Sequence, residues 1–307
     1  MVRTALDSVW NQTYRPIELI IVDDESKDNT MEVVEQWRSE HPDTQDFTSI
    51  AKTFPNGKPS RSRNRGLALA HGDYIQFVDD DDWIYPHAVQ AKVDYIQSHP
   101  DCGLVVNQID YYRNGKIFDV TNISLPDNPQ NLIEHLLRHE CLLVATLMFK
   151  TEVLRAIGGW KDDLHFAMDM EITLRHVMNG GTIGLVDQSL GIYRFHLRGR
   201  RQCTTYRDKL PDDFIVGFYE HLVDLAVQHG CDSQTNREAF AWRIRQDAYD
   251  QIGRGRFNCA RLCFQAADKI ANHPEDARRW ENFSPPLRWR FIAFKHKIKN
   301  LLKLIKN

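Results

Sequence analysis

The chain has little of what marks a secreted, membrane-spanning or disulfide-stapled protein. Its six cysteines (Cys102, Cys141, Cys203, Cys231, Cys259, Cys263) are scattered, with no CxxC pair and no disulfide framework. Cys259 and Cys263 lie one helical turn apart, which reads as packing rather than metal ligation. This usage points to a reducing, cytosolic compartment. No signal peptide opens the sequence, and no run of about 18 apolar residues could span a bilayer. Low-complexity segments are absent. From Pro285 to Asn307 there is no acid, but there are seven Lys or Arg. The net charge of −3 therefore hides an acidic body and a basic tail, which argues against a general nucleic-acid-binding surface.

At 307 residues, with 42% hydrophobic and 26% charged, the chain has the composition of a soluble globular protein. Its most informative stretch is Phe77-Val78-Asp79-Asp80-Asp81-Asp82-Trp83, where an apolar strand runs into four carboxylates. Like charges so close are costly unless a cation or water screens them. The run suits either a hard divalent metal held by oxygen ligands or a solvated acidic loop. A second apolar run, Ile17 to Val22, ends in Asp23-Asp24. Continuous apolar runs suit strands buried on both faces of a parallel sheet.

Further periodicity predicts helices over 30–39, 61–70 and 86–98, and strands over 48–54, 74–78 and 103–112. Asn114-Gly115 predicts a hairpin into 116–120. Alternating strands and helices predict an α/β fold with a largely parallel sheet, whose ligands gather at the carboxyl ends of strands. Both acidic runs sit at such ends. Beyond residue 204 the pattern turns helical, over 212–229, 237–252 and 257–271, with one pair reminiscent of a helix-turn-helix repeat unit. The expected division is 1–204, 205–283 and a tail helix over 284–307.

Four stretches in order carry a resemblance. Val22-Asp23-Asp24-Glu25-Ser26-Lys27-Asp28-Asn29-Thr30 resembles the VDDxSxDxT signature of family 2 glycosyltransferases. Asn56-Gly57 through Ser62-Arg63-Asn64-Arg65-Gly66 is similar to NGGxSxARNxG. Ala70-His71-Gly72-Asp73-Tyr74-Ile75 with the acid run resembles AxGxYI…DxDD. Gly158-Gly159-Trp160 resembles the turn before the acceptor site. The resemblance covers about residues 5 to 196.

The resemblance implies a Rossmann-like GT-A fold, with a mostly parallel sheet flanked by helices and an α-helical extension. It implies inverting, metal-dependent transfer of a sugar from a nucleotide-diphosphate donor, a UDP-sugar, to an acceptor hydroxyl. The acceptor would be a glycan or lipid-linked molecule in envelope synthesis. Asp81 would ligate Mn²⁺ or Mg²⁺, with Asp79 on the metal or the ribose and Asp80 on the nucleotide-sugar, unless Asp80 or Asp82 caps the helix that follows. Asp23 and Asp24 would face the base, or merely end a strand in a turn. Arg63 would contact base or diphosphate, or be a solvated helix charge. Asp169 matches the family's general base, with Glu171 as a second candidate, though it also suits a helix N-cap. Arg175 matches the family's helix arginine. Met168 departs from the family's Glu and puts the acceptor type in doubt. Tyr193-Arg194-Phe195-His196 is similar to a motif closing over the diphosphate, with His196 as a third metal ligand or a surface histidine.

The family opens with a strand that this sequence is expected to lack. Met1 to Leu6 match the middle of its first helix, and Ser8 to Tyr14 its SVxNQTY. Either the start lies upstream or the nucleotide site is weakened; the intact motifs downstream favour the first. A non-catalytic sugar-nucleotide or glycan-binding protein is the alternative reading. A metal-dependent phosphoryl or nucleotidyl transferase would want a Gly-rich phosphate loop that Gly57-Lys58 does not supply. The basic, amphipathic 285–307 suggests peripheral contact with the inner face of a membrane, or a helix packed on the body.

Overall fold

The computed structural model describes residues 1–55, 58–139, 142–164, 167–195, 210–273 and Trp280. The chain divides into two compact units, one of residues 1–129 and 140–207, the other of 130–139 and 208–307.

The first unit opens with helix α1 (Val2–Trp10) and strand β1 (Ile17–Asp23). Helix α2 (Thr30–Glu40) carries the chain back to β2 (Phe47–Thr53), which pairs with β1 in parallel from Ile17↔Phe47 to Asp23↔Thr53. Leu6, Val34, Trp37 and Phe47 form the core between α1, α2 and this pair. Trp37 is wholly buried, so its indole N–H needs a partner and donates to Asp7 Oδ1 at 2.7 Å. Helix α3 (Pro59–Leu69) starts with proline at its first position, where no N–H is missed. It lies close on β1, where a Cβ on Gly66 would stand 3.6 Å from Val22.

After α3 come β3 (Tyr74–Gln76), β4 (Trp83–Ile84), helix α4 (Ala88–Ser98), β5 (Cys102–Arg113) and β6 (Lys116–Val120). Later elements of this unit are β7 (Met148–Lys150), helix α6 (Thr151–Ala156), helix α7 (Met168–Met178) and β8 (Thr182–Arg194), while helix α5 (Leu132–His139) falls in the second unit. The second sheet runs β3-β7-β5-β8-β4, with β6 on β5. Ile84, Ala88, Val93, Ile96, Val105, Met148 and Leu190 pack beneath it. The expected hairpin is present, with Asn114 and Gly115 at φ 53° and 80°.

The expectation of a mostly parallel sheet needs correcting in detail. β1–β2 and β5–β8 are parallel, but β3–β7, β5–β7, β4–β8 and β5–β6 are antiparallel. The reason is that an apolar run reports burial on both faces and carries no information about direction. Short strands of two to five residues, β4, β6 and β7, reverse beside the long β5 and β8, and β3 reverses again beside β7. The opening strand that the resemblance leaves missing has no counterpart among the described residues, where β1 pairs only with β2.

The second unit is helical: α5, α8 (Phe214–Gln228), α9 (Gln234–Gly253) and α10 (Phe257–Ile270). Gly255 at φ 78° turns α9 into α10, and Ser233 caps α9 through the N–H of Asn236. Cys259 and Cys263 are wholly buried thiols with no disulfide between them, as packing residues should be. Tyr219, buried in the core, donates its hydroxyl to Asp247 Oδ2 at 2.6 Å. No described helix is long and apolar enough to cross a membrane. The tail 285–307 lies outside the described residues.

Candidate active site

The acid run leaves β3 as a tight turn, closed by the Asp82 N–H on Asp79 O at 3.1 Å. Asp79, Asp81 and Asp82 each bring one carboxylate oxygen to within 4.8 Å of the others, while Asp80 is exposed. Asp82 is buried, and its Oδ1 accepts the backbone N–H of Arg194 at 2.8 Å. Burial first, and then its acidic neighbours, push the Asp82 carboxyl up to about 8 despite that bond. Hard oxygen donors this close suit Mn²⁺ or Mg²⁺. With Asp82 committed to β8, Asp79 and Asp81 are the pair that fits a metal.

Arg63 joins this turn to α7. Its Nη2 donates to Asp79 Oδ1 at 2.9 Å and its Nη1 to Met168 Sδ at 2.8 Å, with the guanidinium 5.0 Å above the Trp160 ring. Its side chain is only 13% exposed, so it is a held group rather than a solvated helix charge. Met168 thus sits against Arg63, where the family's Glu would add a carboxylate. Asp169 follows in the first turn of α7, half-buried, with Oδ1 accepting the Met170 N–H at 3.0 Å. Burial raises its carboxyl, while the Met170 N–H and Arg63 oppose that rise. A carboxyl moved toward neutrality is suited to accept a proton.

Glu171, the second candidate base, is not available for that task. It is buried and bonded to Arg175, with Arg175 Nε 2.7 Å from its Oε1. Arg175 also donates to the carbonyls of Ile157 and Gly159 (2.6 Å to Gly159 O), so it fastens the Gly158-Gly159-Trp160 turn. From the other side Asn64 binds that turn twice, to the Trp160 carbonyl at 2.7 Å and the Trp160 N–H at 2.8 Å. Gly159 has φ 66°, and a Cβ there would meet Asn64 Oδ1 at 2.6 Å, so only glycine fits. The motif places Trp160 beneath Arg63.

At β1 the two acids part. Asp23 is buried and its Oδ1 accepts the Ser26 N–H at 3.2 Å, which is the strand-ending turn. Asp24 is exposed. His196 lies outside the described residues, as do Asn56 and Gly57. Arg194 was visible only as part of a motif. Its Nε donates to Asp81 O at 2.9 Å, and its guanidinium stacks 4.7 Å over Trp83 and 5.8 Å over Tyr112. This sets a cation against the acid turn. The signal that could have found it is β8, a strand the sequence analysis did not anticipate.

The solved structures of similar fold include Staphylococcus aureus TarS 1-349 in complex with UDP-GlcNAc. The likeness has a TM-score of 0.65 at 16% identity, and covers 91% of this chain and 86% of that one. A mannosyltransferase, PcManGT from Pyrobaculum calidifontis, in complex with GDP-Man and Mn²⁺, matches with a TM-score of 0.51 at 18% identity, over 98% and 83% of the two chains. The fold is therefore GT-A-like. The model of glycosyl transferase family 2 matches residues 1–156, and the chain belongs to that family. A sequence relative is the uncharacterized glycosyltransferase YibD of Escherichia coli (strain K12), 36% identical over 84 residues, 27% of this chain and 23% of that protein. The chain spans less than half the length of the first curated relatives it matches, 23% to 47%.

Proposed function

We propose that this chain transfers a sugar from a nucleotide-diphosphate donor, a UDP-sugar, to an acceptor hydroxyl, with inversion and with a divalent metal. The observation that carries this reading is the bridge Asp79–Arg63, which continues through Met168 into the helix turn bearing Asp169. It supports a reading in which a leaving-group site lies beside a carboxylate base, Asp169. In the transfer, the acceptor oxygen forms a bond to the anomeric carbon as the bond from that carbon to the diphosphate oxygen breaks. Asp169 takes the acceptor proton, and the nucleoside diphosphate leaves with the electron pair. One displacement with one base inverts the centre. Asp79 and Asp81 would hold Mn²⁺ or Mg²⁺, which supplies Lewis-acid stabilisation of diphosphate charge. Arg63 and Arg194 add fixed positive charge beside the turn. In this reading Asp24 accepts from the uracil ring, and His196, which lies outside the described residues, would be a further metal ligand.

The UDP-GlcNAc and UDP complexes of TarS, whose name makes it a poly(ribitol-phosphate) β-N-acetylglucosaminyltransferase, support a uridine donor. That name also supports a glycan-like acceptor in the envelope. The basic, amphipathic composition of 285–307 is what supports a lipid-linked acceptor met at the inner face of the membrane. Met168 favours one rival, a non-catalytic sugar-nucleotide or glycan-binding protein. Calorimetry of UDP with and without Mn²⁺, followed by transfer assays of wild type and Asp169→Asn, tests both readings. Metal-dependent binding, with transfer abolished in Asp169→Asn and donor binding kept, is the expected result. Binding without transfer by wild type, across a broad acceptor set, would favour the rival.

A further inference from the structure

Four adjacent carboxylates repel, and the segment carrying them has almost no regular structure of its own. Between β3 and α4 the only strand is β4, two residues long. One side of this segment is held by β8, through Trp83↔Ile192, Ile84↔Gly191 and the Tyr85 N–H on Leu190 O at 2.9 Å. The other side is held by α1 and the residues just after it.

There Gln12, only 4% exposed, uses its whole amide. Nε2 donates to the Tyr85 carbonyl at 2.8 Å and to Ser8 O at 2.9 Å, and Oε1 accepts the Val89 N–H at 3.0 Å. Val89 lies in the first turn of α4, where N–H groups have no partner within the helix. The residue at the N-cap, His87, makes no side-chain cap bond. Gln12 serves as the missing cap from another element. Ser8 Oγ accepts the Ile84 N–H at 3.3 Å, and the Thr13 N–H donates to Pro86 O at 2.7 Å. All of these bonds except Gln12 to Ser8 O reach the backbone between residues 84 and 89, directly after the acid turn.

We infer that Gln12 is a positioning residue for the metal site: it fixes the segment that follows Asp82 and so sets the spacing of Asp79 and Asp81. Gln12 touches no ligand. It acts by anchoring one end of a turn whose own charges would spread it. This rests on the proposed metal role of the two acids.

The test is Mn²⁺ titration of the full chain, followed by the resonance of free Mn²⁺, in wild type, Gln12→Leu and Asp7→Ala. Asp7, on α1, accepts the Trp37 indole N–H and makes none of the bonds to residues 84–89, so its loss loosens α1 without removing a bond to the segment. Gln12→Leu should bind Mn²⁺ about ten-fold more weakly, as for other groups that orient metal ligands. Asp7→Ala should lower the melting temperature and keep wild-type affinity. Hydrogen exchange needs no metal, and should quicken at residues 81–89 in Gln12→Leu alone. Equal Mn²⁺ affinity in Gln12→Leu, or equal loss in both variants, overturns the inference. A wild type without Mn²⁺ affinity overturns the metal reading of the acids, and unchanged exchange in Gln12→Leu overturns the anchoring itself.

Discussion

Strands β1 and β3 both run apolar residues into acids, Asp23-Asp24 after the first and Asp79 to Asp82 after the second, yet the carboxylates go to different uses. At β1 the buried Asp23 is spent on a local N–H, that of Ser26. At β3, three carboxylates converge within 4.8 Å, and the buried one is spent on a distant strand, at Arg194. A local partner makes a turn. A distant partner holds a cluster together against its own repulsion, with two further carboxylates, Asp79 and Asp81, beside the bonded one. Acid type and strand-end position are alike in the two places, so neither distinguishes a turn from a site.

The largest effect should come from breaking the β3 end. Asp81→Asn removes the negative charge of a proposed metal ligand and should lower Mn²⁺-dependent transfer by about a thousand-fold or more, read as initial rates. Loss of under ten-fold would move the metal role elsewhere. Arg63→Met comes next, at roughly a hundred-fold in kcat/KM. It also has a pH signature. Arg63 favours the charged form of Asp169, so its removal lets burial raise that carboxyl further. The acid limb of the rate profile should then move to higher pH, and an unmoved limb would separate Arg63 from the base.

A buried amine with no hydrogen-bond partner among the described residues sharpens the contrast. Lys92 on α4 is wholly buried with no hydrogen-bond partner for Nζ, and burial lowers it to about 7. Between pH 7 and its unfolded value of 10.5, the unfolded chain binds the extra proton, so stability should rise with pH across that window. Lys92→Met should remove that slope and stabilise the fold at pH 7 by on the order of 3 kcal/mol, measured by denaturant unfolding. An unchanged slope would mean that the amine reaches water. The smallest effect belongs to β1. Asp23→Asn keeps the acceptor for Ser26 and should leave UDP affinity within about two-fold, while Asp24→Ala should weaken it about ten-fold. The reverse order would make Asp23 the base-facing residue.

Much of this site was legible in the chain. The acid run, Arg63, Asp169 and the Gly158-Gly159-Trp160 turn stand out because each needs a residue type that few neighbours could replace. Gly159 is an instance: positive φ and the contact with Asn64 admit nothing larger. Other features were not legible, because their meaning depends on partners far away in sequence. Glu171 looks like a base until Arg175 is found across it. Gln12 looks like part of a short motif until Tyr85 and Val89 are found on its amide, more than seventy residues away.

The sequence by itself determined the α/β class, the places where strands hand acids to loops, the helical second unit and the family. These follow from hydrophobic period and local turn chemistry, which act over a few residues. Only the tertiary structure decided strand direction, which carboxylates converge and which are spent on backbone, and what Met168 sets against Arg63. Those are outcomes of burial and long-range pairing, where a group's partner, and not its type, sets its charge and its role.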